Sequence, residues 1–134
     1  MGVWAPPAID ILYMLVLCCP PEILDEKFEY FINFYHKNLV ATLNVLHYDE
    51  KSIPTLESIH IDLKERGFYG AMLMIQTLPT IKLDNKEFSD DNLYSVESED
   101  GDKFKQLMFE NPIYLNLLKH LLPFFDKHGY LDII

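Results

Sequence analysis

From Pro6 to Cys19 the chain is apolar at nearly every position, and one carboxylate, Asp10, interrupts the run. Proline suits the first position of a helix and cannot extend one backward, so Pro7 reads as a helix start. Ile9, Leu12 and Val16 fall on one face, while Ile11, Tyr13, Met14, Leu15 and Leu17 cover most of the rest. A helix that is apolar all round belongs at the centre of a fold, so the remaining segments must wrap this one. Asp10 then has two readings. It is a first-turn acid favoured by the helix dipole and touching only its own helix, or its carboxylate holds the backbone of a neighbouring loop.

With 49% hydrophobic residues, nine Phe and eight Tyr, residues 1–134 can bury one core, and a single domain is expected. Only five glycines and few β-branched runs favour an all-α chain over a sheet. The net charge of −10 disfavours binding to a phosphate backbone, so nucleic acid is not an expected partner. Cys18 and Cys19 are adjacent and cannot clip distant segments together. A reducing compartment, the cytoplasm, fits that usage. The apolar run is too short to cross a bilayer, so no membrane is expected either. A signal peptide is disfavoured because no Lys or Arg precedes the run and Asp10 abuts it. Pro6 stands where a myristoylation signal needs Ser or Thr.

After Pro20-Pro21 a long amphipathic helix is expected from Glu22 to about His47, with Leu24, Phe28, Phe31, Tyr35, Leu39, Leu43 and Leu46 as its apolar stripe. Thr55 is placed to cap a helix through Arg66 that buries Leu56, Ile59 and Leu63 and ends at Gly67 in a left-handed conformation. Phe68 begins a second central helix, where Gly70 and Ala71 permit close approach and Pro79 stops or kinks the chain. Between Asp84 and Asp102, eight acids face one lysine, which predicts a solvated loop. Calcium-loop spacing fails there: with Gly101 sixth, Val96 and Leu107 occupy positions that require acids. A helix starts at Leu107–Phe109, and Asn111-Pro112 opens the last one. That helix is expected to turn Ile113, Leu117, His120, Leu121 and Phe124 inward, to distort near Pro123 and to end at Gly129.

Familiar chemistry is absent from these residues. No Gly-rich phosphate loop, serine elbow or pair of histidines at metal-ligand spacing occurs. The five histidines are dispersed, and the cysteines read as packing residues without a base beside them. Residue chemistry alone therefore reaches an acidic, all-helical domain.

Three stretches go further. Pro7-Ala8-Ile9-Asp10-Ile11-Leu12-Tyr13, then Phe34-Tyr35-His36-Lys37-Asn38-Leu39, then Leu63-Lys64-Glu65-Arg66-Gly67-Phe68-Tyr69-Gly70, with Asn111-Pro112-Ile113-Tyr114 and Phe125–Leu131 near the end, resemble the C-terminal part of the ecdysteroid-kinase-like family. That family is also called CHK kinase-like and is related to choline and aminoglycoside kinases. The resemblance implies the helical C-terminal subdomain of a protein-kinase-like fold, without N-lobe or catalytic loop. It implies ATP and Mg²⁺ as cofactors of the full-length family and none bound by this chain. The family's catalytic loop and metal-binding Asp precede the Pro-Ala-x-Asp helix, and Met1 to Ala5 contain no acid. No catalytic or metal-binding residue is therefore assigned. Asp10 becomes the anchor of the catalytic loop, while Tyr35, Tyr69 and Met72 become candidates for touching a small, hydroxylated, apolar acceptor. The rival readings are a helical interaction module and a full kinase shortened by an incorrect gene start. With the family's other segments missing, the Ile9–Leu17 helix is expected to expose apolar side chains and to self-associate.

Overall fold

The computed structural model describes residues 5–83 and 99–132. Helix α1 spans Pro7–Tyr13 and continues as a wide π-turn, Met14–Cys18, closed by the Cys19 amide donating to the Met14 carbonyl at 2.9 Å. A 3₁₀ turn at Pro21–Ile23 leads into α2, Leu24–Val45, and the chain bends by 120° between the two helical stretches. Next come α3 (Leu56–Glu65) and α4 (Gly67–Met72), then a second π-turn (Leu73–Thr77) and the short α5 (Leu78–Ile81). Helices α6 (Glu99–Phe109) and α7 (Pro112–Lys127) complete the fold. No strand occurs among the described residues, and the chain is all-α.

The core gathers around α1. Ala8, Ile11, Leu12, Leu15 and Val16 are buried, and they join Leu24, Phe28 and Ile32 of α2, Ile59 and Leu63 of α3, and Leu121, Phe124 and Phe125 of α7. The opening helix is thus enclosed by its own chain, with Leu12 and Leu15 both at 0% exposure. This corrects the expectation that its apolar side chains lie open for self-association. The helix is not buried all round, however: Asp10 and Tyr13 form an exposed outer edge, so Asp10 is a solvated carboxylate and not a buried one.

Local signals explain the helix ends. Thr55 Oγ1 accepts the Ser58 amide at 3.0 Å, and Asn111 Oδ1 accepts the amides of Ile113 and Tyr114. Each bond satisfies a donor that a helix start leaves unpaired. Asn111 also donates from Nδ2 to the Lys82 carbonyl at 3.0 Å, tying the start of α7 to the end of α5. At the other end of α7, Gly129 takes a φ of 68°. The Gly129 amide bonds Asp126 O and the Tyr130 amide bonds Phe125 O, each at 2.9 Å. This is the Schellman arrangement, and its characteristic apolar contact is present as the Tyr130 ring meets the Phe125 ring at 5.4 Å and 84°.

That turn redefines Gly67. It was expected to end α3 in a left-handed conformation, but Gly129 is the glycine with positive φ among the described residues, and Gly67 begins α4 instead. Glycine is needed there because the Tyr130 backbone lies against it: a Cβ would fall 2.5 Å from Tyr130 Cα. Gly70 serves close approach as expected, facing the Phe125 ring and Leu12.

Other expectations change as well. Helix α2 buries Leu24, Phe28 and Ile32, leaves Phe31, Tyr35, Leu39 and Leu43 half-buried and exposes Leu46, so only its first half is seated in the core. Neither proline breaks its helix. Pro79 is buried at the start of α5, directly after the second π-turn, and α7 runs through Pro123 to Lys127. Helix α7 turns Tyr114, Leu121, Phe124 and Phe125 inward, while Ile113 and His120 are exposed. Of the expected acidic loop 84–102, Glu99–Asp102 instead open α6, and residues 84–98 lie outside the described residues. Leu107–Phe109 therefore ends a helix and does not begin one.

Tyr130 supplies a pH prediction. Burial, and then the charge of Glu29, push its hydroxyl well above the ordinary tyrosine range. The neutral form is favoured in the folded protein, so this stabilisation is complete below about pH 10, where an unfolded tyrosine titrates, and is lost as pH rises above it. Stability from urea unfolding should fall between pH 10 and 11 by up to about 1.4 kcal/mol on account of this group. Tyr130→Phe should flatten that fall while leaving stability at pH 8 nearly unchanged; an equal fall in both proteins would refute the assignment.

Candidate functional site

The outer edge of α1 carries Asp10 and Tyr13, three residues apart and so neighbours on one helix face. Two other elements flank them. Tyr35 of α2 is half-buried, and its hydroxyl is pushed up by burial and then by the negative charge of Asp10. Tyr69 of α4 packs its ring 6.0 Å from that of Tyr13 at 50°, and hydrogen bonding to Tyr13, followed by burial, raises its hydroxyl too. Met72 lies about one turn beyond Tyr69, half-buried.

The candidates are therefore linked through α1: Asp10 to Tyr35, and Tyr69 to Tyr13. Tyr35 and Tyr69 make no hydrogen bond or ring contact with each other among the described residues. Tyr13 was missed as a site residue because its apolar ring was counted towards the core. The three-residue spacing from Asp10 was the available signal. The arrangement offers one carboxylate and three phenol hydroxyls at the rim of half-buried aromatic and thioether surface. Such an edge can receive hydroxyl hydrogens while packing against an apolar body.

Among the described residues no group of three or more His, Cys, Asp or Glu is placed to hold a metal, and Asp10 stands among tyrosines. Cys19 is packed at the core edge, where burial and then Cys18 push its thiol up, away from a reactive thiolate. Three of the histidines have structural partners. His36 Nε2 lies 3.0 Å from the Pro54 carbonyl, His60 lies 3.6 Å from Glu29, and His128 Nδ1 lies 2.8 Å from the Phe124 carbonyl. No single helix among the described residues is long and apolar enough to cross a membrane.

Residues 1–48 match the model of the ecdysteroid kinase-like family. Over that stretch the chain is similar to the ecdysteroid kinase-like family. The matched segment spans α1, its π-turn and α2, and so includes Asp10, Tyr13 and Tyr35; Tyr69 and Met72 lie beyond it. The match associates the segment with kinase-like small-molecule phosphotransferases. No curated protein and no solved structure matches the chain. Lys64–Gly70 lies outside the matched segment, and its glycines have a physical account. Gly67 admits the Tyr130 backbone and Gly70 admits the Phe125 ring.

Proposed function

We infer that this chain forms the helical, acceptor-side part of an ecdysteroid kinase-like phosphotransferase of the cytoplasm. What supports the reading is that the family-matched segment carries both the exposed Asp10 and the half-buried Tyr35, whose hydroxyl is raised by burial and then by the charge of Asp10. On this reading Tyr35, Tyr69 and Met72 pack against the apolar body of a small hydroxylated acceptor such as an ecdysteroid. Asp10, solvated and directed away from the core, accepts the backbone amides of the family's catalytic loop. ATP and Mg²⁺ belong to other parts of the full-length family, and no step through them is derived from these residues.

The test uses the 134-residue chain and a radiolabelled ecdysteroid in equilibrium dialysis. Saturable binding is expected, weakened about tenfold by Tyr69→Ala or Tyr35→Ala, which is about 1.4 kcal/mol. With Mg²⁺-ATP added, no phosphorylated steroid should form, because on this reading the base and metal ligands that the transfer needs belong to other parts of the full-length family. Turnover, or binding indifferent to both substitutions, would overturn the reading.

A further inference from the structure

From Tyr30 to Val45 the outer side of α2 carries large apolar side chains in the open. Tyr30 and Phe34, 61% and 58% exposed, stack with ring centroids 6.1 Å apart at 25°, and Val45 near the helix end is 77% exposed. Tyr30, Phe34, Lys37, Asn38, Ala41 and Val45 share one face at three- and four-residue spacing, and all six are exposed. We propose that two copies of this chain associate through this face, with their α2 helices antiparallel about a twofold axis passing between Lys37 and Asn38.

Two properties of the face select a second copy as its occupant. The first is size. Its bulky residues lie at one end and its small ones at the other, at equal distances from the axis. Antiparallel pairing sets Tyr30 against Val45 of the second copy and Phe34 against Ala41, so each aromatic ring meets a small side chain. An isologous contact requires this self-complementarity. Parallel pairing would crowd ring on ring and leave a gap at the small end. The second is charge. The chain has 21 acidic residues, yet none falls between Tyr30 and Tyr48. Here two copies with a net charge of −10 can approach without opposing carboxylates. The formal charge in the stripe, Lys37, lies at the axis opposite Asn38. Asn38 uses its Nδ2 to donate to the Phe34 carbonyl at 2.7 Å, which leaves Oδ1 to accept from Lys37 of the second copy.

The stripe is about 22 Å long and about 10 Å wide, so each copy buries a few hundred Å². That is below the roughly 800 Å² per partner of a stable complex, so the dimer is weak and transient. Repulsion between the two acidic chains makes the association strengthen as salt is added.

Sedimentation of the full chain from about 5 to about 500 µM should show mass rising from monomer towards dimer. Tyr30→Lys and Val45→Glu should each weaken association at least about tenfold, with unchanged circular dichroism because both positions are exposed. The double variant should recover much of that loss, since the introduced ammonium and carboxylate then face each other on both sides of the axis. A wild-type chain that remains monomeric, or a double variant no better than the single ones, would overturn the proposal. So would a monomer that co-sediments with phosphatidylcholine vesicles, which would assign the face to lipid.

Discussion

Gly67→Ala is expected to destabilise the protein by about 3 kcal/mol or more, although alanine is the better helix former by about 1 kcal/mol. The added methyl would sit 2.5 Å from both Cα and Cβ of Tyr130. These atoms belong to a turn fixed by two 2.9 Å hydrogen bonds, so the obstacle is backbone and cannot rotate aside. Gly70→Ala provides a graded comparison. Its methyl would meet the rim of the Phe125 ring, 2.7 Å from Cζ, and Leu12 Cδ2 at 3.3 Å. A ring edge yields more readily than a backbone turn, so a loss of about 1–3 kcal/mol is expected. Urea unfolding of the three proteins measures both. If Gly67→Ala is as stable as wild type, the Tyr130 turn is not seated on α4.

The second large effect lies in the opening helix. Leu12→Lys combined with Leu15→Lys should abolish cooperative unfolding altogether. Both leucines have 0% exposure, and truncating one such side chain already costs about 2–5 kcal/mol. Placing two ammonium groups there adds desolvation that nothing nearby offsets, against a total stability of about 5–15 kcal/mol. Near-UV circular dichroism should lose its tertiary signal. A folded double variant would mean that this helix faces water and that association through it deserves renewed attention. Tyr13→Lys, at the exposed edge of the same helix, serves as the control and should fold normally.

Features set by a few adjacent residues were legible in the sequence. Thr55, Asn111 and Gly129 act through hydrogen bonds spanning a handful of positions, and each ends or begins its helix as read. What depends on a distant partner was not. Gly67 carries the local mark of a helix end, but its environment is set by Tyr130, far along the chain. On α2, Leu24 and Phe28 begin two possible apolar lines, one through Phe31 and one through Ile32, and only the packing of α3 and α7 selects Ile32. The dense acids before Leu107 argued for a loop, although acids are also what a helix N-terminus favours, and α6 starts among them. At the candidate site Asp10 and Tyr35 were named from the family resemblance, and the structure adds only that the charge of Asp10 reaches Tyr35. Tyr13 was hidden by its hydrophobic ring.

The two π-turns have a consequence for how homologous sequences should be aligned. Each holds one residue more than an α-helical turn would, and this rotates everything downstream by about 100° relative to a straight helix of the same length. A sequence one residue shorter within Leu73–Thr77 would close that stretch as an ordinary α-helical turn and keep everything downstream in phase. Leu78 and Pro79 would stay in the core, and α5 would present the same side chains to α6. The same holds for Met14–Cys18, where the shorter sequence would enter α2 along the same path. In these two windows a one-residue gap is a change of length that leaves side-chain direction alone, and a comparison that closes it by shifting the residues that follow will misplace them.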